Sequence, residues 1–305
     1  MIRTLAAALC VFVVTTTVGA AEERQRLGYG RLSTNDVFGD GEDRWQTGSY
    51  ASSRAWGPGW AGQLPTAPGR LLELRFNARV TAPDNVVTPA PGDRPFAGAS
   101  SLGLHTHHRW GETQVSLGGD MVATGKQTGL DDIHAAIHGL VGADEPSAAV
   151  RNTQIGSEFH PTLVLEMGRD LDLGGNARLR PFVEVRAGLE TLVRAGADMT
   201  IGDVGRGEFL VRAPVTGHRY RVIRQPRRGT SFVLGGDVAR VHDSALLPAA
   251  AGLRARDTRS RMRAGVFMQG RKGRGLFYGL TWLGKEFRGQ GEGQLTGSLR
   301  LTIPF

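Results

Sequence analysis

Apolar and polar residues alternate strictly along several stretches of the chain, most clearly at its C-terminus. Between Gln294 and Phe305 the odd positions are Leu, Gly, Leu, Leu, Ile and Phe, whereas the even positions are Gln, Thr, Ser, Arg, Thr and Pro. A period of two over this length predicts a long β-strand with one apolar and one polar face. The same alternation recurs at 72–80, 114–121 and 178–189.

The length of these segments and the charges on their polar face indicate the kind of sheet. A tilted strand crosses a bilayer in about 9–11 residues, which these segments reach. Charged residues such as Glu73, Arg75, Arg180 and Glu184 recur on the polar face, as expected for a hydrated lumen. Closure removes the strand edges that lipid does not tolerate. The pattern therefore predicts an all-β, transmembrane, antiparallel up-and-down β-barrel; a soluble secreted β-sandwich is the alternative.

The alternation and the intervening turn residues predict about twelve strands. An even number is the rule for single-chain bacterial barrels. The segment 203–229 is ambiguous, because its Arg-rich stretches could contain a further strand. The predicted strands start near Gly28, Thr47, Gly69, Ala97, Thr113, Pro161, Ala177, Leu192, Ser231, Arg261, Gly275 and Gly293.

The N-terminus predicts export. Arg3 precedes the apolar stretch 5–18, and Val18-Gly19-Ala20 fits the small-residue pattern before a signal-peptidase cleavage site. We therefore expect a signal peptide at 1–20 and a single barrel domain at 21–305. Cys10 is the only cysteine and leaves with the signal peptide, so the mature chain has no disulfide.

Composition narrows the function. The net charge of +8 is dispersed along the strands rather than clustered, so we expect no nucleic acid as a partner. No apolar run beyond the signal peptide reaches the length of a transmembrane helix. The terminal Phe305 resembles the recognition end of bacterial outer-membrane barrels, which predicts the barrel assembly machinery as a partner. Oligomeric state is left open.

Strand parity gathers the polar clusters at one end of the predicted barrel. Both termini of an even-stranded barrel lie on the periplasmic side, so the first strand runs outward. The loops 37–46, 81–96 and 124–159 are then all extracellular. Lysine and arginine residues at this rim would help to hold anionic lipopolysaccharide.

The segment 124–159 predicts a short helix rather than a strand. Thr128 is a candidate N-terminal cap and Gly142 a candidate stop. His134 and His138 are four residues apart and therefore share one helix face. Apolar residues recur at three- and four-residue spacing at Leu130, Ile133, Ile137, Leu140 and Val141.

Three interpretations of the histidine pair remain open. The pair could bind zinc, although Ala135 stands where an HExxH motif has Glu. It could be a structural or surface pair. One histidine could instead be a general base that activates water, since its pKa suits neutral pH.

The end of the first strand carries a second polar cluster. Asn35-Asp36 are ordinary turn formers, but Asp40, Glu42 and Asp43 follow them closely. Hard oxygen donors in such number suit Ca²⁺ or Mg²⁺. A solvated acidic loop is the alternative.

Taken in order, these segments resemble the lipid A 3-O-deacylase (LpxR) family of Gram-negative outer membranes. The resemblance extends over nearly the whole mature chain. The segments that carry it are Thr34-Asn35-Asp36, Asp43-Arg44-Trp45-Gln46-Thr47-Gly48, Gly92-Asp93-Arg94-Pro95-Phe96-Ala97-Gly98, His134–Asp144, Asn152-Thr153-Gln154 and Lys285-Glu286-Phe287-Arg288-Gly289-Gln290.

The resemblance implies a twelve-stranded outer-membrane barrel that removes the 3′-acyloxyacyl group from lipid A at the extracellular face. It also implies a divalent cation, usually Ca²⁺, that polarises the ester carbonyl. By position, His138 corresponds to the general base, and Asn35 and Asp36 to the cation and oxyanion site. Thr47 corresponds to a residue of the same cleft, and Asp144 to a metal ligand.

Several positions depart from the family pattern. His134 stands where Gln is usual, Asp144 stands where Glu is common, and the loop 81–96 contains no Lys. Thr47 is followed directly by Gly48, one residue sooner than is common. Two further functions therefore remain open: a different outer-membrane phospholipase or esterase, and a non-enzymatic barrel whose site has decayed.

Overall fold

The computed structural model describes residues 23–142 and 144–303. The predicted signal peptide at 1–20, Cys10 and Phe305 lie outside the described residues, so those expectations remain predictions. The described part forms one closed sheet, a separate two-stranded hairpin and two short α-helices.

The structure contains strands of 4 to 16 residues, two α-helices and three short 3₁₀ turns. The helices are α1 (Leu130–Val141) and α2 (Ala148–Asn152), and the 3₁₀ turns are Lys126–Thr128, Ala249–Ala251 and Arg271–Gly273. The strands are β1 (Gln25–Asn35), β2 (Trp45–Gly57), β3 (Leu71–Ala82), β4 (Ala97–Trp110), β5 (Thr113–Thr124), β6 (Phe159–Gly168), β7 (Leu171–Gly174), β8 (Ala177–Ala187), β9 (Glu190–Ile201), β10 (Phe209–Arg212), β11 (Arg219–Ile223), β12 (Gly229–Ser244), β13 (Thr258–Gln269), β14 (Gly275–Leu283) and β15 (Gln294–Thr302).

Twelve strands close the barrel. Each wall strand is antiparallel to the next along the chain, β6 pairs with β8, β9 with β12, and β1 closes the ring against β15. The short β7 only prolongs the β6–β8 hairpin. All twelve predicted starts lie within three residues of the observed ones. The predicted up-and-down barrel is therefore confirmed.

The two faces of the wall are the ones that the alternation predicted. In β3, Glu73 and Arg75 point into the lumen and are 0% and 5% exposed, whereas Phe76 faces outward. The outer wall is apolar on most strands, which suits contact with lipid. Exposed apolar residues on it include Leu102, Leu104, Leu117, Leu163, Val183, Val193, Phe232, Leu234, Val238, Met262 and Leu301.

The ambiguous segment 203–229 forms a hairpin inside the barrel rather than a further wall strand. Strands β10 and β11 pair only with each other, and their apolar residues pack against the inner faces of the wall. Gly28 and Gly30 of β1 permit this approach, because a Cβ there would lie 2.2 Å from the Val222 carbonyl oxygen and 2.6 Å from that of Arg221.

Buried ion pairs occupy much of the remaining lumen. Glu73 accepts hydrogen bonds from Arg75, at 2.8 Å, and lies 2.7 Å from His107. Glu166 holds Arg212 of the lumenal hairpin at 2.9 Å. Each of these buried carboxylates therefore has a counter-charge, which offsets the cost of removing it from water.

The barrel has two different ends. Both described chain termini, the hairpin connection 202–228 and the connection 58–70 lie at one end, here called the terminal end. The connections 36–44 and 125–158 lie at the other, here called the loop end, with 83–96, 245–257 and 284–293. The polar clusters singled out in the sequence therefore meet at one end, as parity predicted.

Helix α1 lies against the outside of the barrel at the loop end. Gly98, an outward-facing residue opposite Val80, leaves room for it: a Cβ at Gly98 would lie 3.0 Å from the Leu130 Cβ and 2.8 Å from the Thr128 hydroxyl. None of the described helices is long and apolar enough to cross a membrane.

Candidate active site at the loop end

The loop between β1 and β2 is organised by Asn35 and Asp36. The Asn35 amide donates to the Thr47 carbonyl oxygen at 2.8 Å, and its oxygen accepts from the Val37 N–H at 2.9 Å. The Asp36 carboxylate accepts from the N–H groups of Val37 and Arg44, at 3.0 and 3.1 Å. The turn-forming interpretation of this pair therefore accounts for much of its bonding.

Asp36 is also an unusual carboxyl group, because it is fully buried. Burial, together with the nearby charge of Asp43, raises its pKa to about 8, although the N–H donors of Arg44 and Val37 oppose the shift. A cation placed beside these two carboxylates would favour their ionised forms. The acidic loop thus contains a pair of carboxyl groups whose mutual repulsion a divalent ion would relieve.

Helix α1 presents its histidines to the barrel and its apolar residues to the outside. His134 and His138 are both 7% exposed, whereas Ile133 and Ile137 are more than half exposed and Leu140 is 86% exposed. Most of the apolar stripe that predicted this helix is therefore exposed, although Leu130 is buried against the wall at Gly98. An apolar face directed outward is expected where lipid, rather than a protein core, surrounds a helix.

The ends of α1 agree only partly with the sequence prediction. Gly142 ends the helix in the left-handed conformation, with φ of 71°, as expected. The predicted cap at Thr128 is wrong by one residue, since Gly129 occupies the N-cap position with φ of 64°. Thr128 instead donates to the Gly125 carbonyl oxygen at 2.8 Å in the preceding turn.

His138 is held from both sides of its ring. Its Nδ1 lies 2.5 Å from the Asp144 backbone carbonyl oxygen, which can only accept, so Nδ1 carries a proton. Its Nε2 lies 3.0 Å from a carboxylate oxygen of Asp43. When the ring is neutral, the lone pair of Nε2 faces this carboxylate. A water molecule that donates to both groups would relieve that contact and place its proton within reach of Nε2.

His134 is buried beside His138 without hydrogen bonds of its own. The ring centroids are 4.0 Å apart, and Phe96 packs edge-on against His134 at 5.5 Å. Neither ring nitrogen of His134 has a hydrogen-bond partner among the described residues, and the nearest oxygen of Asp43 is 3.9 Å away. A buried imidazole in this state is suited to receive a ligand.

Asp43, His134 and His138 form a possible metal site. One ligand atom from each lies within 4.8 Å of the others. Two imidazoles and a carboxylate suit a transition metal such as zinc, whereas the oxygens of Asp36 and Asp43 suit Ca²⁺. The geometry is therefore compatible with a divalent cation of either kind.

The predicted site residues lie close together in the fold, but with different roles in it. Asn35 and Thr47 are joined directly, and the Thr47 hydroxyl donates to the Val80 carbonyl oxygen at 3.4 Å. Asp144 contacts His138 through its backbone carbonyl. Asp36 senses Asp43 electrostatically. These residues thus share one region, and their catalytic and metal roles remain proposals.

Asp43 is the contact that the sequence did not single out. It is one of three acids in a short loop, and nothing in its spacing distinguishes it from Asp40 or Glu42. The available signal was its place at the start of the Asp43–Gly48 segment. The carboxylates of Asp40 and Glu42 instead form ion pairs with Arg44, at 3.6 and 3.0 Å.

A buried arginine and glutamate brace the loop end. Arg94 is 2% exposed and donates to Glu286 at 2.7 Å, and Arg259 also lies 3.4 Å from this carboxylate. Burial alone would raise the pKa of Glu286, but Arg259 and Arg94 outweigh it and lower that pKa. This pair links the loop 83–96 to the loop 284–293.

The apolar outer wall, the filled lumen and the histidine–carboxylate cluster at one rim define an outer-membrane β-barrel with a candidate catalytic centre. A family model described as "Outer membrane protein LpxR" matches residues 5–305. The chain belongs to the LpxR family of outer-membrane proteins.

One solved structure agrees with the fold. LpxR from Salmonella typhimurium is similar at a TM-score of 0.72 and 18% identity, over 91% of this chain and 100% of that chain. The KdgM porin in complex with oligogalacturonate reaches a TM-score of 0.40 and 2% identity, over 91% and 99% of the two chains. The β domain of the Bordetella autotransporter BrkA reaches 0.40 and 11%, over 90% and 99%. A search of curated protein sequences finds no match.

Proposed function

We propose that this protein is a lipid A 3-O-deacylase that hydrolyses the 3′-acyloxyacyl ester in the outer leaflet of the outer membrane. Membership of the LpxR family supports a lipid A substrate. The observation that carries the proposal is the position of His138, buried on the barrel side of α1 with its Nε2 directed at Asp43.

In this mechanism His138 is the general base. The hydrogen bond from Nδ1 to the Asp144 carbonyl fixes the tautomer, so Nε2 takes a proton from water as the water attacks the ester carbonyl. Asp43 stabilises the imidazolium ion that forms. When the tetrahedral intermediate collapses, the imidazolium returns the proton to the departing 3′ oxygen of the sugar, and the fatty acid is released.

A divalent cation, expected to be Ca²⁺, would polarise the ester carbonyl and stabilise the oxyanion. Asp36 and Asp43 supply the charge to hold it, and Asn35 and Asp144 are the further oxygen donors that we propose as ligands. Thr47 would complete the cleft beside Asn35. The role of the chain is to hold these oxygens close together before the cation binds, with the Asp36 carboxylate already buried.

The surroundings of the site suit a lipid substrate. Ile133 and Ile137 are exposed on the outward face of α1, and Val37 and Phe38 are exposed in the first loop. These exposed apolar side chains at the loop end would keep acyl chains in an apolar environment while the ester reaches His138. Strand parity supports an extracellular position for this end of the barrel.

The test of the cation uses purified, detergent-solubilised protein and lipid A. Chelation by EDTA is expected to abolish acyl release, and Ca²⁺ is expected to restore it. Restoration by Zn²⁺ alone would replace the calcium proposal with a zinc site built on Asp43, His134 and His138. Full activity in excess chelator would contradict any cation role.

A further inference from the structure

A polar cavity lies in the lumen at the terminal end, on the far side of the barrel from His138. It has a volume of about 480 Å³, within the range of small-molecule sites. The connection 58–70 and the lumenal hairpin form one side of it, and the ends of β4, β5 and β8 form the other. Nothing in the proposed deacylase mechanism uses it.

The walls of this cavity carry far more positive than negative charge. Eight arginines line it, against the carboxylates of Glu166, Asp170 and Glu208. Lysine is absent from the described lining, and arginine presents the planar fork that binds phosphate and carboxylate groups in pairs of hydrogen bonds.

The three carboxylates are already engaged. Glu166 binds Arg180 and Arg212 at 2.8 and 2.9 Å. Glu208 pairs with Arg221, whose side chain does not line the cavity. Asp170 accepts from the Gln114 amide at 2.8 Å. The remaining lining arginines therefore depend on other partners.

Four lining arginines have no carboxylate partner among the described residues. Arg109 donates to the Leu64 backbone carbonyl at 3.0 Å, and Arg178 donates to the Val204 carbonyl. Arg227 is exposed and reaches solvent. Arg219 is the most telling of the four, because its side chain has no hydrogen bond and no ion pair with any described residue, although it lies on the lumenal strand β11.

The Arg219 guanidinium is partly exposed in the cavity, where the charges of Arg180 and Arg212 oppose those of Asp170 and Glu166, so a bound anion would stabilise it. Part of the cavity lining is aromatic, since Trp60 packs on Phe209 at 6.1 Å and His107 packs on Phe209 at 4.6 Å. The lining thus combines arginine forks with an aromatic surface, a combination that recognises an anionic group attached to an organic body.

We propose that this cavity is a binding site for a phosphate group, in which Arg219 is the principal ligand and Arg178 and Arg227 assist. The favoured ligand is a small organic phosphate ester, whose carbon part lies against Trp60 and Phe209. The site is separate from the esterase centre and is entered from the terminal end.

Titration calorimetry on the detergent-solubilised full chain tests the site, with glycerol 2-phosphate and inorganic phosphate as probes at constant NaCl. Arg219→Gln is expected to weaken binding of both at least tenfold, because it removes the charge-assisted hydrogen bonds. Arg219→Lys is expected to bind with intermediate affinity. Arg240→Gln, on the exposed outer wall, is the matched control and should bind as the wild type does.

Tighter binding of the ester than of free phosphate supports the full proposal, and equal binding of the two narrows it to a phosphate site. Arg227→Gln provides a second variant at an exposed position, expected to weaken binding severalfold even if Arg219→Gln does not fold. The proposal is overturned if neither probe binds or if both variants bind as tightly as the wild type. His138→Ala should retain phosphate binding, so failure of the deacylase proposal leaves this test intact.

Discussion

At the scale of single residues, the candidate centre brings together polar groups whose interactions are incomplete without a ligand. The Nε2 of His138 lies 3.0 Å from Asp43, burial and the charge of Asp43 raise the pKa of Asp36, and His134 has no hydrogen-bond partner among the described residues. A cation or a water molecule placed among these side chains would supply the missing interactions. Buried polar groups with perturbed pKa values and unsatisfied hydrogen bonds are typical of catalytic sites.

Asp43→Asn tests the carboxylate that the sequence did not single out. The amide keeps the size of the side chain but removes the charge beside His138. We expect the cation concentration for half-maximal activity to rise at least tenfold, because one of two charged ligands is lost. Glu42→Gln, in the same loop and 60% exposed, is the control and should leave this concentration unchanged. Identical cation dependence in both variants would remove Asp43 from the site.

The ionisation of Glu286 makes the stability of the loop end depend on pH. Its pKa is lowered in the folded protein, so its contribution to stability is present above the ordinary carboxyl pKa and is lost as pH falls through the folded value. We therefore expect wild-type thermal stability to fall below about pH 4.5 more steeply than that of Glu286→Gln, which is already weaker at neutral pH.

Removing one partner of a buried ion pair typically costs about 3–5 kcal/mol. Because the Glu286 side chain is 27% exposed, we expect a loss near the lower end for Glu286→Gln. Circular dichroism melts at pH 7 and pH 3.5 measure both effects, with Glu292→Gln, which is 65% exposed, as the control. Parallel pH profiles for Glu286→Gln and wild type would contradict the linkage.

At the scale of elements, α1 is the part whose orientation the sequence could not give. The three- and four-residue spacing correctly predicted a helix, but the spacing alone does not say that the histidine face is the buried one. A helix packed on the outside of a membrane barrel has lipid around it, so its polar histidines are the buried side. Only knowledge of what lies on each side of the helix resolves this.

Gly98→Val tests whether activity requires the close packing of α1 against the barrel wall. A side chain at Gly98 would meet Leu130 and Thr128, so the helix and its histidines must move away from the barrel. We expect activity to fall at least tenfold while the barrel still folds, as judged by its heat-modifiable migration on gels. Gly119→Val on the open outer wall is the matched control, since a Cβ there would lie 3.9 Å from its nearest neighbour, the Thr162 carbonyl oxygen. Equal activities would show that α1 is not held there.

At the scale of the whole molecule, strand number, strand starts and the two faces of the wall could be predicted because lipid and water impose opposite requirements on alternate residues. Parity then placed the polar loops together. The lumenal hairpin could not be predicted, since its strands lie among charged partners from distant segments and carry no lipid-facing face. The contact between His138 and Asp43 could not be predicted either, because it joins residues from two loop-end connections that are far apart in the sequence.

The filled lumen distinguishes an enzyme from a pore. Hairpin β10–β11 and the ion pairs of Glu166, Asp198 and Asp237 occupy the interior. We therefore expect the protein to show no stable ion conductance in planar bilayers, in contrast to an open porin measured in parallel. Stepwise, reproducible conductance would favour the non-enzymatic alternative.

The central claim is that His138 drives deacylation of lipid A. Mass spectrometry of lipid A and phospholipids from cells that express the wild type or His138→Ala tests it most directly, with folded barrel confirmed for both. The account predicts that lipid A loses the mass of its 3′-acyloxyacyl group in wild-type cells only, and that phospholipids are unchanged in both. Lipid A cleaved equally by His138→Ala, or acyl loss confined to phospholipids, would contradict it.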